Sequence, residues 1–416
     1  MRYEEYKDSG IEWLGEVPSH WTVCKVKHKY SFKTGATPSS GKKEFYDGEI
    51  KWANISDING GIIHDTVKHI TDEAVRSCSM TISPKGSLLY SFKLSVGQVA
   101  FCGDDMYTNE AIATFESNTQ NLRYLYYIAP QFIIHNANRN IYNAPLLNQD
   151  LIKNALIVLP PIEEQLAIAS YLDEKCGKIN GAIDVQKKKI DLLKELKQTI
   201  ITNAVTKGLN PNAPMKDSGV EWIGQVPEHW EVCKLKYILK LINGRAYSQN
   251  ELLDDGKYKV LRVGNFFTNE QWYYSNLELE KEKYCHSGDL LFAWSASFGP
   301  KIWNEDNTIF HYHIWKVNIA KTYDKMYAYY ILTALSDFKR GDVHGSTMVH
   351  LTMDNMNNSF LTIPSLSEQQ SIVKYIEFEV SKVDAQISRA NRRIELLNEL
   401  KQSIITEAVT GKIKVI

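Results

Sequence analysis

The sequence predicts an α+β protein in which two pseudo-symmetric globular domains are separated by an antiparallel two-helix coiled coil. Three observations lead to this fold class. A block of sequence near the N-terminus returns about 200 residues later, each half of the chain ends in a long heptad pattern, and short β-like runs fill the stretches between. With 416 residues, the chain is also long enough for more than one hydrophobic core.

The internal repeat is the strongest of these signals. Residues 7–27 and 216–236 are identical at 15 of 21 positions, and residues 192–202 match 396–406 near the ends of the two halves. A period of this length is too long for a solenoid and indicates duplicated domains. The repeated pieces therefore form a shared frame around the intervening sequence.

The intervening stretches, roughly 28–158 and 237–362, agree only in patches. One such patch is Gly86–Phe92, which corresponds to Gly288–Trp294. Two constant frames around divergent middles are the pattern expected of a recognition domain that has been duplicated and turned to two different targets. The sequence thus separates a structural part of each half from a variable part.

The heptad patterns predict two long helices, which begin after Pro161 and Pro364. Apolar residues at positions a and d recur over about six heptads, which favours a coiled coil over two amphipathic helices that each pack on their own domain. The seam is predicted at Leu172, Ile179, Ile183, Ile190, Leu193 and Ile200 in the first helix and at Ile376, Val383, Ile387, Ile394, Leu397 and Ile404 in the second.

Each predicted helix would be roughly 65 Å long at 1.5 Å per residue. Two such helices in one chain pair most simply with each other, and a globular domain must connect the end of the first to the start of the second. We therefore expect an antiparallel pair with the globular domains at its two ends, related by pseudo-two-fold symmetry.

Short β-like runs dominate the globular stretches, broken by clusters of Gly, Asn and Asp. Helices are predicted at Leu122–Phe132 and Met326–Phe338, so each domain should mix strands and helices. The predicted strands are Ile50–Ile55, Ser87–Phe92, Lys257–Val263 and Ile314–Asn318.

Composition is that of a soluble globular protein, and the net charge is −1. No apolar run is long enough for a transmembrane helix, and the N-terminus does not resemble a signal peptide. The six cysteines occur singly, so we expect reduced thiols in a cytoplasmic protein and no zinc site. A nearly neutral chain that binds nucleic acid would depend on partners for part of its grip.

The sequence contains only weak matches to motifs for nucleotide binding, metal binding or catalysis. Ala36–Lys43 approaches a P-loop, but it lacks the final Ser or Thr and no buried strand precedes it, so a basic, hydroxyl-rich surface loop is the better interpretation. His311 and His313 would lie on one face of a strand, which favours a polar strand face over a metal site because no third ligand is apparent. No nucleophile and base are spaced for catalysis, and no catalytic residue is predicted.

A diffuse nucleic-acid signal comes from polar and aromatic residues interleaved in loops. Arg, Lys and Asn are the residue types that read guanine and adenine edges, although any one such residue is more often an ordinary surface residue and an aromatic one is as often core. The candidate DNA-binding residues are Thr37, Ser39, Lys42, Lys43, Asn54, Lys93, Ser95, Arg139, Asn140 and Asn143 in the first half, and Arg245, Tyr247, Arg262, Asn265, Trp294, Ser295, Ser297, His313, Thr347 and His350 in the second.

The whole chain resembles the specificity subunit of type I restriction–modification systems. The resemblance is carried by the block K-D-S-G-[IV]-E-W-[LI]-G-x-V-P-x-H-W before each variable stretch, the Glu-Gln pair that follows proline at the start of each helix, and the tail L-L-x-E-L-K-Q-x-I-I-T. It implies target recognition domains at 1–159 and 208–363, each followed by a conserved spacer helix, at 160–207 and 364–416. The second helix departs from the first in its less proline-rich and less acidic start.

The resemblance also implies a function. Each recognition domain would read one half of a bipartite site in double-stranded DNA, and the paired helices would act as spacer and bind two modification subunits. The chain itself would not be catalytic. It would direct adenine methylation by the modification subunits and ATP-dependent cleavage by restriction subunits. S-adenosylmethionine, ATP and magnesium would then be bound by those partners and not by this chain.

Two other classes of function compete with this interpretation. A coiled-coil scaffold whose globular ends bind proteins would use the same architecture. An enzyme with a site in one domain is the third possibility, and the duplicated frame and missing nucleophile motifs argue against it. Exchange of residues 28–158 for another variable stretch separates the first two, since only a DNA reader would change half of a methylated motif.

Overall fold

The computed structural model describes residues 2–117, 119–295, 298–341 and 351–415. The chain forms two compact units. Unit 1 consists of residues 1–185 and 393–416, and unit 2 consists of residues 186–392. Because both long helices cross the boundary, each unit contains one globular domain together with part of each helix.

The strands of unit 1 form several small sheets and one larger one. The larger sheet has the order β4-β11-β8-β9-β6, and a three-stranded sheet has the order β10-β5-β7. The strands are β1 (Tyr6–Asp8), β2 (Glu16–Pro18), β3 (Thr22–Lys25), β4 (Ser31–Thr34), β5 (Ile50–Ala53), β6 (Ile62–Ile63), β7 (His69–Ile70), β8 (Leu88–Ser91), β9 (Val99–Cys102), β10 (Tyr107–Thr108), β11 (Ile112–Glu116), β12 (Asn138–Arg139), β13 (Pro145–Leu146) and β14 (Leu156–Leu159).

The core of unit 1 lies between the larger sheet and the helices. Trp21, Tyr90, Phe115, Tyr124 and Phe132 are fully buried there. The beginning of the first long helix and the end of the second pack on the same core. The helices are α1 (Asp72–Ser77), α2 (Leu122–Phe132), α3 (Gln149–Asn154) and α4 (Ile162–Lys207), of which α4 continues into unit 2.

Unit 2 repeats this plan with two four-stranded sheets. Their orders are β18-β25-β22-β23 and β20-β19-β24-β21. The strands are β15 (Met215–Asp217), β16 (Gln225–Pro227), β17 (Glu231–Lys234), β18 (Leu239–Asn243), β19 (Tyr258–Leu261), β20 (Tyr273–Ser275), β21 (Tyr284–Cys285), β22 (Leu290–Ala293), β23 (Gly299–Ile302), β24 (Thr308–Phe310), β25 (Ile314–Ile319) and β26 (Phe360–Ile363).

The core of unit 2 is built from the equivalent side chains. Trp230, Phe292, Trp315 and Tyr327 are fully buried. Here the end of α4 packs with the beginning of the last helix, so the two helices run antiparallel within the unit. The helices are α5 (Val263–Phe267), α6 (Lys325–Gly341), α7 (Met353–Asn357) and α8 (Leu366–Val409), of which α8 continues into unit 1.

The repeated block folds alike in both units. Ser9 N donates to Gly15 O over 3.0 Å, and Ser218 N donates to Gly224 O over 3.0 Å. The block then adds a strand antiparallel to the strand that precedes the long helix, as β3 with β14 and as β17 with β26. This pairing closes each globular domain, so the two constant pieces clamp the ends of the variable stretch.

The predicted fold class is confirmed: the protein is α+β, with two domains and two long helices. All four predicted β runs contain a strand, and both predicted globular helices are present. Of the seam residues predicted in α4, all are buried except the half-buried Ile200, whereas in α8 only Ile376 and Val383 are buried and the other four are half-buried. Among the described helices, none combines the length and apolar character needed to span a bilayer.

Candidate nucleic-acid interface

Three loops of unit 1 converge on the short segment 108–111, which joins β10 to β11. We call this segment the hub of unit 1. Three backbone hydrogen bonds of 3.0 Å attach the loops to it, from Ala36 N to Thr108 O, from Asn109 N to Ala53 O and from Phe92 N to Ala111 O. Because the donors and acceptors belong to the backbone, these three bonds themselves use no side chain of the loops.

The first loop approaches the hub so closely that it requires glycine. A Cβ added to Gly35 would lie 1.7 Å from Thr108 O. At the next residues, Thr37 donates its hydroxyl to Glu110 Oε2. This hydrogen bond, with the charge of Lys93 nearby, lowers the pKa of Glu110, so its carboxylate is ionised at neutral pH.

The other candidates of these loops are exposed. Lys42 and Lys43 lie on the surface, and Lys42 Nζ is 4.7 Å from the centre of the Phe45 ring. Ser39 is exposed and accepts from Lys42 N through its backbone oxygen. Ser95 is exposed in the loop between β8 and β9. Exposed lysines beside the hub suit phosphate contacts, which position a protein on DNA, better than base contacts.

Asn54 follows β5 near the hub, but its side chain is hydrogen-bonded within its own loop. Its Oδ1 accepts from Ser56 N at 2.8 Å and from Ser56 Oγ at 2.6 Å, while Asp57 Oδ2 accepts from Asn54 N at 2.9 Å. These bonds form a capping box for a short 3-10 helix. The position thus shapes the loop, and the acceptor that could read a base is already engaged.

A separate β-hairpin of residues 138–146 carries the remaining candidates of unit 1. Asn140 Oδ1 accepts from Tyr142 N and from Ala144 N, each at 2.9 Å, and Arg139 Nη1 donates to Asn143 O over 3.1 Å. The two asparagines therefore hold the turn. Its tip is apolar and projects into solvent, with Ile141 91% and Tyr142 84% exposed.

Unit 2 contains the same hub with other side chains. Residues 310–313, between β24 and β25, form the hub of unit 2. The equivalent backbone hydrogen bonds run from Arg245 N to Phe310 O at 3.0 Å, from His311 N to Leu261 O at 2.9 Å and from Trp294 N to His313 O at 3.0 Å. Gly244 is again required, since a Cβ there would lie 2.2 Å from Phe310 O.

Most of the second-half candidates surround this hub. Arg245 Nη2 donates to Glu251 Oε1 over 2.7 Å, and this bond lowers the pKa of Glu251 to about 2. The Tyr247 ring stacks on His311 with 6.3 Å between ring centres. The Arg262 guanidinium lies 5.2 Å from the centre of the Tyr273 ring. Two guanidinium groups and a stacked pair of rings beside one hub make a surface suited to nucleic acid.

The prediction of a strand at His311 and His313 is wrong. β24 ends at Phe310 and β25 begins at Ile314, so the two histidines lie in the turn between, where Ile314 N donates to His311 O over 2.9 Å. Burial, then the neighbouring charges of His313 and Arg262, lowers the pKa of His311 to about 4. Within the described residues, no three His, Cys, Asp or Glu side chains gather as a metal ion would require.

The other second-half candidates divide into three groups. Trp294 Nε1 donates to Tyr312 O over 2.8 Å, so Trp294 lies against the hub, and the next residue, Ser295, is buried. Asn265 Nδ2 donates to Asn269 O and Gln271 O, which makes it a turn residue. Ser297, Thr347 and His350 lie outside the described residues.

Sequence reasoning missed the hub residues Asn109, Glu110 and Tyr312 as candidates, and it noted His311 only as part of a polar strand face. It also missed the exposed hairpin tip. One signal was available: Gly35 and Gly244 stand at equivalent places just after β4 and β18, which marks a close approach of backbone to backbone. The segment that each glycine approaches was not deducible, because it lies more than 60 residues away.

Comparison with known proteins gives consistent results. The sequence profile described as the type I restriction modification DNA specificity domain matches residues 18–203 and 227–399. The chain is 25% identical to the type I restriction enzyme MjaIX specificity subunit of Methanocaldococcus jannaschii, over 100% of this chain and 98% of that protein. It is 23% identical to the type I restriction enzyme EcoBI specificity subunit of Escherichia coli, over 79% of this chain and 75% of that protein.

A solved structure has the same fold. It comes from work on the complex assembly and conformational transition of the type I R-M system. The matched chain is 16% identical, with a TM-score of 0.71, and the match covers 95% of this chain and 99% of that one. The architecture of two α+β domains and two long helices is therefore shared with that chain.

Proposed function

The chain belongs to the family of type I restriction–modification DNA specificity proteins, and we propose that it reads a bipartite DNA target, one half with each unit. It is the specificity subunit of such a system. The finer proposal rests on one observation, the two hubs. Each unit attaches its loops to the hub through three equivalent backbone hydrogen bonds, while the side chains at the hub differ completely.

This observation supports recognition of two different sequences. Apart from Gly35 and Gly244, the loops are attached through backbone atoms, so their other side chains are able to change without loss of these hydrogen bonds. Unit 1 presents Asn109 and Glu110 where unit 2 presents His311 and Tyr312. Loops on a rigid scaffold are where binding residues concentrate. Each unit would enter a major groove, which places half-site centres about one helical turn, or roughly 10 base pairs, apart.

The reaction would belong to the partners. In this proposal the chain directs adenine methylation by two modification subunits and ATP-dependent cleavage by restriction subunits, and it is not itself catalytic. S-adenosylmethionine, ATP and magnesium would be bound by those subunits. A complex that acts on chromosomal DNA would work in the cytoplasm.

Exposed leucines on the long helices support the assignment of partner subunits. Leu192 and Leu196 in unit 2 are exposed one helical turn apart, and so are Leu396 and Leu400 in unit 1. These pairs are equivalent within the repeated helix tail. Apolar side chains exposed on the same helical face in both copies suit two equivalent protein contacts, as two modification subunits would make.

A domain exchange tests the proposal. Residues 28–158 would be replaced with the variable stretch of another specificity protein, and the methylated motif of the assembled complex would be read by methylome sequencing. We expect one half of the motif to change and the other half to stay. A motif that is unaltered, or no sequence-specific methylation at all, would instead point to a scaffold that binds proteins.

A second exchange tests the spacer. Insertion of one heptad in each long helix adds about 10 Å at 1.5 Å per residue. The gap between the two halves of the motif should then widen by up to roughly three base pairs, at 3.4 Å per pair. A complex that assembles and methylates with the original gap would exclude the helices as the element that sets the separation.

A further inference from the structure

The third residue of each hub occupies a position that both units hold in the same way. This residue is Glu110 in unit 1 and Tyr312 in unit 2. Each follows the residue whose backbone N–H donates to the end of a strand, Ala53 of β5 or Leu261 of β19. The same turn closes both hubs, with Ile112 N bound to Asn109 O at 3.3 Å and Ile314 N bound to His311 O at 2.9 Å. Both third residues are exposed. A side chain at this position is therefore presented to a partner from a fixed backbone.

The chemistry of Glu110 is restricted by its neighbours. Thr37 donates a hydroxyl to one carboxylate oxygen, and the charge of Lys93 also acts on the group. An ionised carboxylate is purely an acceptor and has about four lone-pair sites, of which Thr37 and the backbone N–H of Glu110 itself use two. Glu110 is thus an exposed acceptor among three loops, of which the first carries Thr37, Ser39, Lys42 and Lys43 and the third carries Lys93 and Ser95.

We propose that Glu110 is a base-reading residue of unit 1, which accepts a hydrogen bond from the N4 amino group of a cytosine in the major groove. This assignment rests on the proposed function, since it names the base that one position of that reader selects. A carboxylate is repelled by phosphate oxygens, so a Glu at the centre of a DNA-binding surface serves a contact with a base donor.

Cytosine satisfies the carboxylate better than the other bases do. In the major groove guanine offers the acceptors N7 and O6, and thymine offers the acceptor O4 and a methyl group. Adenine has an amino donor, but its acceptor N7 lies beside it and repels a second carboxylate oxygen. Cytosine presents N4 without an acceptor of its own on that edge. Lys42, Lys43 and Lys93 supply the charge that holds neighbouring phosphates.

Tyr312 shows why the two halves of the target would differ at this position. It replaces the acceptor with a ring that packs against His311 and His313, with 4.4 and 4.0 Å between ring centres. Its 39% exposed side chain offers a hydroxyl, which both donates and accepts, together with an apolar face. The equivalent position of unit 2 therefore has no selectivity for a base donor.

The test uses the complete methyltransferase complex assembled with Glu110→Gln. Glutamine keeps the size of the side chain and an oxygen for Thr37, but its amide both donates and accepts, as adenine N6 and N7 require. Methylation would be measured on a library of duplexes with every base at each position of both half-sites. We expect the variant to lose its preference for cytosine by about tenfold or more at a single position and to prefer adenine there.

Two controls make the result specific. The half-site read by unit 2 is an internal control, and its base preferences should not change. Glu73→Gln, an exposed carboxylate on α1, is the matched substitution away from the hub and should leave both half-sites unchanged. Glu110→Ala is the second variant, which should lose the cytosine preference without gaining a preference for adenine.

The outcomes distinguish failure of the Glu110 assignment from failure of the proposed function. If the wild-type complex methylates a two-part motif and both Glu110 variants keep its base preferences at every position, Glu110 does not read a base and the assignment is overturned. The same holds if the unit 1 half-site contains no C·G pair. If the wild-type complex shows no sequence-specific methylation, the proposed function itself fails.

Discussion

Lys197 Nζ lies 2.8 Å from Asp384 Oδ1 and 2.9 Å from Asp384 Oδ2, between α4 and α8 in unit 2. In unit 1 the equivalent lysine, Lys401, donates to Asn180 Oδ1 over 2.9 Å. Lys197 and Lys401 each follow a predicted seam isoleucine, Ile190 or Ile394, by seven residues, so both occupy seam positions. The repeat therefore preserves the donor and varies the charge of its acceptor. A polar residue at such a position specifies the register of a coiled coil at some cost in stability.

Asp384→Asn converts the unit 2 pair into the unit 1 pair. Because both side chains of the Lys197–Asp384 pair are partly exposed, we expect the substitution to lower the free energy of unfolding by no more than about 1 kcal/mol. Thermal unfolding in low salt measures the effect, and the reciprocal Asn180→Asp is the matched variant. A loss above about 3 kcal/mol would mean that the pair behaves as a buried one.

Gly35 and Gly244, the glycines that approach the two hubs, should be intolerant of alanine. Gly35→Ala would place Cβ 1.7 Å from Thr108 O, so the first loop must move away from the hub. We expect a loss of stability of about 1 to 3 kcal/mol and loss of sequence preference in one half-site only. The neighbouring Gly41→Ala is the control, because the nearest atom to its Cβ would be Ser39 Oγ at 3.8 Å. Equal effects of the two substitutions would contradict the close-approach explanation.

The lowered pKa of His311 predicts that the free energy of unfolding depends on pH. Its folded-state pKa of about 4 is below the ordinary value of 6.5, so the unfolded chain binds the proton more readily. The stabilisation from its neutral form is complete above pH 6.5, and it declines as the pH falls from 6.5 to about 4. Its magnitude is about 1 to 3 kcal/mol, since the ring is only half-buried.

His311→Asn, which introduces the residue found in unit 1, isolates this effect. The wild type should lose more stability than the variant between pH 6.5 and 4, as measured by thermal unfolding over that range. His286→Asn, at an exposed histidine of the same unit, is the matched control for the substitution of a histidine by asparagine. Parallel curves for the wild type and His311→Asn would show that the ring is not held in its neutral form.

The exposed leucines should matter for assembly and not for folding. Leu192→Ser with Leu196→Ser should leave the melting temperature nearly unchanged, because both side chains are exposed. If a modification subunit covers them, its affinity should fall by about tenfold or more, since a fully buried leucine contributes about 1.5 to 3 kcal/mol. Asp191→Ser with Lys194→Ser, two exposed residues on the other side of the same helix, is the matched control. Assembly that is equally strong in all three proteins would rule out this face as a docking site.

The frame of the molecule was predictable because its signals are local in sequence. The heptads of α4 and α8 and the duplicated block around Trp21 and Trp230 are visible without any knowledge of tertiary contacts. Burial of Tyr124 and Tyr327 follows from the helical periodicity around them. For these elements, the residues that are apolar in the sequence pattern are the ones that are buried in the fold.

The hubs were not predictable because backbone atoms far apart in the sequence create them. Nothing about Glu110 as a residue type reveals that Ala36 and Ala53 will bind the backbone of its neighbours. Asparagines in turns gave the opposite error, because they were predicted to read bases and do not have free side chains for it. Asn54, Asn140 and Asn265 appeared to be base readers, yet their side chains bond to their own turns, as asparagine commonly does.

The apolar tip of the hairpin 138–146 predicts a contact outside the hub. Ile141 and Tyr142 are almost fully exposed, while the turn below them is held by Asn140 and Arg139. An aromatic and a branched apolar side chain on a rigid, exposed turn suit insertion against bases or sugars of DNA.

Ile141→Ser with Tyr142→Ser should leave the melting temperature unchanged, since neither side chain packs in the core. DNA affinity of the assembled complex should fall by about fivefold or more, as expected from loss of a stacking contact of 1 to 3 kcal/mol. Binding is measured by fluorescence anisotropy with the cognate duplex at fixed salt. Val67→Ser, another exposed apolar residue of unit 1, is the control and should bind as the wild type does. Unchanged affinity of the hairpin variant would show that the tip does not touch DNA, and would restrict the reading surface of unit 1 to the hub and its three loops.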